Sequence, residues 1–341
     1  MPLPDDAHLH LRDGDVLADV VAASAASFGR AVVMPNLRPP VRTTAQALAY
    51  QAQIIAAIPA GAAFEPMMTL YLTEATDPDE IAVAKAAGVV GVKFYPAGAT
   101  THSDAGVRDL SRVDDVLAAM AQADMPLLVH GEVTDADVDI FDREAVFVQT
   151  QLAPMVDRHP ALRVVLEHVT TAAGVAFVAA AREGVAATLT PQHLLLDRNA
   201  MLVGGIRPHL YCLPILKTRR DRQALVEAAI SGSPRFFLGT DSAPHAASAK
   251  ENACGCAGCY TAPVAMPLYA EAFDAAGALD RLPDFASTFA ARFYRWPASK
   301  QRIVLVEDDV DVAMQLPFGS GSIRPFRFGE KVHWRVERRD R

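Results

Sequence analysis

His8 and His10 flank a single leucine near the start of the chain, and Leu11, Arg12 and Asp13 follow at once. On a strand, alternate side chains share a face, so the two imidazoles point the same way and can grip one metal ion. Arg12 is next on that face. Its planar, permanently charged fork suits a carboxylate or phosphate. A metal-ligand pair beside an anion clamp points to metal-assisted hydrolysis of an anionic substrate. The pair alone is also compatible with strand histidines bonded to backbone, so residues elsewhere decide the matter.

Further chemically unusual residues close other apolar runs. Lys93 stands between Val92 and Phe94, and His130 follows Leu127-Leu128-Val129. His168 follows Val165-Leu166-Glu167, and Asp241 follows Phe237-Leu238-Gly239-Thr240. Taken singly, His130 and His168 could bond a neighbouring carbonyl, and Asp241 could cap the next segment. Lys93 is harder to dismiss, because a buried ammonium is costly unless it is paired or reaches solvent. Several neutral imidazoles and one aspartate suit one zinc ion. Two zinc ions would call for a bridging anion as well.

The elements that must position these residues alternate regularly. Strands are expected over 7–11, 31–35, 67–72, 89–95, 126–130, 163–168, 186–190 and 236–239. Helices are expected between them, among others over 15–28, 44–58, 78–87, 112–123 and 141–158. Thr43 or Thr44 would cap the second helix, and Gly88 would stop the third. Eight such units match an α/β fold, the (β/α)8 TIM barrel, with a metal centre at the C-terminal ends of the strands. An open doubly wound sheet fits less well, since no G-x-G-x-x-G follows any strand. No linker or charge block divides the chain, so residues 1–341 read as one barrel domain. Closing helices are expected from about 262, then a short polar tail with β character at 332–336.

Composition narrows the partners. Apolar residues make up 51% of the 341 positions and charged residues 21%, enough for a large core. The net charge of −8 argues against nucleic acid or an anionic membrane, so an anionic substrate needs locally placed cations. No apolar run reaches the roughly 18 residues of a membrane span. The opening residues resemble no signal segment, and four cysteines make no disulfide scaffold, so a reducing cytoplasm is expected.

Longer stretches carry a resemblance. They are Asp6-Ala7-His8-Leu9-His10-Leu11-Arg12-Asp13-Gly14, Met34-Pro35-Asn36-Leu37, Lys93-Phe94-Tyr95-Pro96 and Leu127-Leu128-Val129-His130-Gly131-Glu132-Val133. Glu167-His168, Thr190-Pro191-Gln192-His193 and the segment from Gly205 to Pro214 continue it. Gly239-Thr240-Asp241-Ser242-Ala243-Pro244-His245 and Cys254-Gly255-Cys256-Ala257-Gly258-Cys259 complete it. Over nearly its whole length the chain resembles the dihydroorotases of the amidohydrolase superfamily, in the short bacterial-type class without an added β-sandwich.

The resemblance implies reversible, zinc-dependent cyclisation of N-carbamoyl-L-aspartate to L-dihydroorotate in pyrimidine biosynthesis. It implies two zinc ions per subunit, bridged by carboxylated Lys93 and a hydroxide. His8, His10, Lys93 and Asp241 would hold one, and Lys93, His130 and His168 the other. Asp241 would also shuttle the proton. Arg12, Asn36 and His245 would clamp the substrate carboxylate, and backbone groups of Leu213 and Ala257 would read the ring. Residues 96–106 would form a lid that closes through Thr100 and Thr101. Gly98 and His102 stand where the family's lid often carries asparagine, which leaves its dynamics open. A homodimer is expected from the family.

Two readings compete. A dihydropyrimidinase or hydantoinase would share the metal site, but a ring without a carboxylate has no use for Arg12, Asn36 and His245. An inactive scaffold barrel would be expected to have lost a ligand. Cys254, Cys256, Cys259 and Cys212 could hold a structural zinc, although a reduced loop at the substrate mouth suits their irregular spacing better. His102, His159, His193, His209 and His333 are not expected to be ligands, and His193 and His209 are candidates for buried hydrogen-bonded roles.

Overall fold

Short runs buried on both faces are the mark of strands covered by helices. The computed structural model, described over residues 1–339, contains eight of them. They are β1 (Asp5–Leu9), β2 (Arg30–Val33), β3 (Glu65–Tyr71), β4 (Gly91–Phe94), β5 (Leu127–Val129), β6 (Val164–Leu166), β7 (Val185–Leu189) and β8 (Phe236–Leu238). Each pairs in parallel with the next in sequence. The seam between β8 and β1 closes just beyond the strand ends. Asp241 N donates to His8 O at 2.9 Å, and His10 N donates to Ser242 O at 3.1 Å. The Asp6 carboxylate laces the same seam, accepting from Thr240 N at 2.8 Å and Thr240 Oγ1 at 2.6 Å. The result is the expected (β/α)8 barrel.

All eight expected strands are present, but the ladders stop one or two residues early at every C-terminal end. His10, His130, His168 and Asp241 therefore lie just past the strand ends, at the rim where side chains converge. The expected helices form too. Thr43 caps Thr44–Ala57 through a reciprocal box with Gln46, and Gly88 follows Pro78–Ala86 with φ +88°. The segment expected as one helix over 141–158 is Arg143–Phe147 and Ala153–Arg158, joined by a π turn at Val148–Leu152. None of the described helices is long and apolar enough to cross a membrane.

Period-two alternation places the chemistry. Leu128, Val165, Ala186 and Phe237 fill an apolar cluster inside the barrel with Val32 and Met34. Ala290 and Tyr294 of the helix Phe289–Tyr294 plug that cluster from below. Two residues further along the same strands come His130, Glu167, Thr188 and Gly239. An apolar floor thus supports a polar layer. Gly239 must be a glycine, since a Cβ there would come within 2.7 Å of Thr188 and 3.1 Å of His8.

The tail differs from expectation. The expected β character at 332–336 falls within β12 (Lys331–Arg339), but instead of closing a short polar tail this strand pairs with β9 (Arg302–Asp311) in a long antiparallel ribbon, with the hairpin β10 (Leu316–Phe318) and β11 (Gly321–Ile323) between them. The ribbon is sewn to the start of the chain by Ile303 N to Met1 O and Leu3 N to Gln301 O. Arg338 reaches the carbonyls of Ala25, Ala26 and Phe28 at the end of the first helix.

Candidate metal centre

At the rim, His8 and His10 bring their Nε2 atoms to 3.3 Å of each other, as their spacing predicted. Asp241 Oδ1 lies 3.4 Å from His8 Nε2 and 3.1 Å from His10 Nε2. Among the described residues this trio is the one group of at least three His, Cys, Asp or Glu whose ligand atoms all lie within 4.8 Å. His168 packs against His8 with ring centroids 5.0 Å apart, and His130 against His168 at 4.8 Å. Four imidazoles thus form one continuous row.

Each ring is oriented from behind. His8 Nδ1 pairs with Glu167 Oε2 at 2.8 Å, and His10 Nδ1 with Asn36 Oδ1 at 2.8 Å. Both outer partners accept, so Nδ1 carries the proton and the Nε2 lone pairs point into the cluster. His130 Nε2 pairs with Glu132 Oε2 at 2.7 Å, which leaves Nδ1 available to a metal. Burial and the nearby Lys93 push His8 and His168 well below the ordinary histidine range. They stand neutral, the form that ligates.

Lys93 is wholly buried, and its Nζ has no hydrogen-bond partner. Burial lowers its amine to about 8. His168 Nδ1 is likewise buried and unpartnered. Orphaned polar atoms are rare in native interiors and call for a missing ion or modification. An amine beside four imidazoles and an aspartate fits a divalent-metal site with an added anionic ligand on the lysine. Backbone strain marks the same place. His168 (φ +41°) and Asp241 (φ +45°) adopt left-handed conformations that cost about 1–3 kcal/mol each and cluster at functional sites.

Above this layer lies a narrow cavity of about 20 Å3. Every site residue named from the sequence lines it except His8 and Lys93, which lie fully buried. Arg12 is held by Nε to Pro244 O at 2.9 Å and meets His245 Nε2 at 3.2 Å. Burial and Arg12 keep His245 neutral. Asn36 does two jobs. Its oxygen serves His10, and its amide donates to Thr101 O at 3.4 Å. Thr100 and Thr101 roof the cavity. Ser103 braces the turn, accepting from Thr100 N at 2.9 Å and donating to Thr100 O at 2.6 Å.

Of the other histidines, His102 bonds the site through Asn36 O at 3.3 Å, while His193, His209 and the thiols are engaged elsewhere. His193 is buried between Thr190 Oγ1 at 2.7 Å and Pro214 O at 3.0 Å. His209 is only half-buried, bonded to Glu251 at 2.8 Å. All four cysteines are free, Cys212 and Cys259 buried and Cys254 exposed.

Sequence reasoning quoted Glu167 in a motif but assigned it no role. It supports His8 and is itself held by Thr188 Oγ1 at 2.6 Å. The signal was there: a carboxylate two residues beyond an inward-facing Val165. Glu167→Ala is expected to weaken metal retention about 10–100-fold, the usual loss when a histidine ligand's outer partner is removed. Zinc content after dialysis against a graded chelator measures it, and unchanged retention would deny Glu167 this role.

Comparisons with known proteins agree with the geometry. The model of the amidohydrolase family matches residues 6–303. A dihydroorotase of Alkalilimnicola ehrlichii is 60% identical over 334 residues, 98% of this chain and 97% of its own. The dihydroorotase of Saccharomyces cerevisiae, solved in complex with 5-fluoroorotic acid, superposes with a TM-score of 0.90 at 32% identity, covering 100% of this chain and 98% of that one. An L-hydantoinase (dihydropyrimidinase) from Arthrobacter aurescens reaches a TM-score of 0.81 at 17% identity, covering 100% of this chain and 84% of its own, and shares the fold. Barrel, rim and near-full-length identity lead to one assignment: the chain belongs to the amidohydrolase family and, within it, to the dihydroorotases.

Proposed function

We propose that this chain interconverts N-carbamoyl-L-aspartate and L-dihydroorotate through a pair of zinc ions. The observation that carries the reading is the convergence of four imidazoles, Asp241 and an unpartnered buried lysine beneath Arg12 and His245 in one cavity. His8, His10 and Asp241 would hold one ion and His130 and His168 the other. Lys93, carboxylated on Nζ, would serve both. When bound, such ions lower the pKa of a water and polarise the ring carbonyl.

The chain's own groups do the rest. In the ring-opening direction Asp241 Oδ1 accepts the proton of the attacking water and delivers it to the leaving ring nitrogen. In the biosynthetic direction the same transfers run backwards. Arg12, the amide of Asn36 and His245 hold the substrate carboxylate, and their placement fixes which carbonyl faces Asp241. Backbone groups of Leu213 and Ala257 read the ring edge. Thr100 and Thr101 close over it and exclude water. The same pocket would take 5-fluoroorotic acid, the ligand of the yeast relative. A carboxylate clamp favours this substrate over the uncharged rings of hydantoinases.

The decisive experiment follows dihydroorotate ring opening by ultraviolet absorbance, with and without chelator. Zinc-loaded protein should carry about two zinc ions per chain and turn over; chelation should abolish turnover and zinc should restore it. No turnover by the zinc-loaded protein would sink the proposal. Arg12→Met is expected to raise KM for dihydroorotate roughly 10–100-fold, the loss of a charge-assisted contact, with a smaller effect on kcat. Unchanged KM would remove Arg12 from the clamp. We further read residues 1–341 as one barrel domain that works as a cytoplasmic homodimer. Light scattering that returned a monomer mass would refute the dimer.

A further inference from the structure

Lys250 ends the short helix Ala247–Lys250 and is buried, 4% exposed. It has no part in the metal centre. Its ammonium spends all three protons on backbone carbonyls: Tyr211 O at 3.0 Å, Cys256 O at 2.7 Å and Gly258 O at 2.7 Å. An ammonium has three donors and no acceptor, so this coordination is complete. Hydrogen bonds from a charged donor are short and about twice as strong as neutral ones.

The three carbonyls belong to two loops that are distant in sequence. Tyr211 precedes Leu213 by two residues, and Cys256 and Gly258 flank Ala257 on either side. Leu213 and Ala257 are the two backbone positions on the cavity wall that would read the substrate ring. A direct bond from Gly258 N to Tyr211 O at 3.0 Å joins the same loops. The second loop is also stitched to the segment after Asp241, through Ala243 N to Cys259 O at 2.8 Å. Gly258 lies so close to Ala243 that a Cβ there would approach its Cβ to 2.7 Å. Besides these backbone bonds, the wall has one charged brace at its back, a single cation bonded to both loops.

We propose that Lys250 is a positioning residue for the substrate: its ammonium holds the carbonyls of Tyr211, Cys256 and Gly258 so that the Leu213 and Ala257 backbone stays in register with the ring. The inference rests on the dihydroorotase reading of the cavity. A structural lysine would merely stabilise the fold. A positioning lysine shifts substrate affinity while the metal centre, which Lys250 does not touch, keeps its ions.

The test uses the full-length, zinc-loaded enzyme with Lys250→Met, which keeps the length of the side chain and removes the charge, and with Lys250→Arg. For Lys250→Met, KM for dihydroorotate and the dissociation constant of 5-fluoroorotic acid are expected to rise about tenfold or more. The kcat should stay within about threefold and the zinc content should not change. Lys250→Arg, which keeps a cation, should recover part of the affinity. A folded Lys250→Met whose KM and ligand affinity stay within about twofold of wild type overturns the proposal. So does a proportionate fall in kcat, affinity and zinc content. If Lys250→Met fails to fold, Lys250→Gln takes its place under the same criteria. Failure of both to fold assigns Lys250 to core stability and also overturns the proposal. Wild-type enzyme that opens no dihydroorotate ring would instead refute the underlying functional reading, and the two failures are thereby separate.

Discussion

Asp241→Ala is expected to lower kcat by about 10²–10⁴-fold, the range for loss of a positioned proton shuttle. Binding of 5-fluoroorotic acid should fall far less, because the proposed carboxylate clamp of Arg12 and His245 is left untouched. The argument is geometric. Asp241 Oδ1 sits 3.1 Å from His10 Nε2 and faces the cavity, where no other carboxylate lies on the wall. Its backbone is left-handed, a conformation asparagine tolerates better than alanine. Asp241→Asn therefore separates strain from chemistry: it keeps the turn and the ligand shape but cannot take the proton. Near-normal turnover in Asp241→Asn would remove Asp241 as the shuttle.

Lys93→Met carries the second large effect, and its two readouts move in opposite directions. Activity should fall by at least about 10²–10³-fold, the loss typical of removing one preorganised group that stabilises transition-state charge. Bound zinc should drop below two per chain if carboxylated Lys93 serves both ions as proposed. Stability of the metal-free protein should hold or rise. Lys93 Nζ is buried without a hydrogen-bond partner, and its desolvation outweighs the attraction of Glu167, Asp241 and the Tyr95 ring 5.1 Å away, so exchanging it for a thioether of similar length removes a net cost. Calorimetry of both proteins after exhaustive chelation checks this. A metal-free Lys93→Met that melts well below metal-free wild type would mean that Glu167, Asp241 and the Tyr95 ring outweigh the desolvation of the ammonium.

Particular residues show what was legible in the sequence and why. The His8–His10 pair could be read because strand alternation is a local rule. His130, His168 and Asp241 could be read because each interrupts the end of an apolar run, where a barrel places its chemistry. Lys93 was conspicuous for the same reason. Glu167 was not, because its importance lies in a bond to His8, a partner on another strand. The double duty of Asn36 was hidden in the same way: only the closed barrel brings its oxygen to His10. The ribbon of β9 and β12 was read as a short tail for a physical reason. Its strands are half-exposed, and the charged stretch Glu307-Asp308-Asp309 breaks the alternation. What stabilises it is pairing across a long insertion and contact with the first helix, which a local pattern does not reveal. The roof of the cavity is likewise held by Ser103 and Asn36, which a loop's composition cannot announce.

The seam between β8 and β1 has a consequence for how the enzyme comes to life. His8 and His10 arrive with the first strand, and Asp241 follows the last. The trio exists only once the two ends of the sheet have met across Asp6 and Thr240. A chain still emerging from the ribosome owns the histidines long before it owns the aspartate. Contacts this distant in sequence form late. Tight capture of metal would therefore report that the ring of strands has shut, and an ion bound there would latch the first strand to the last.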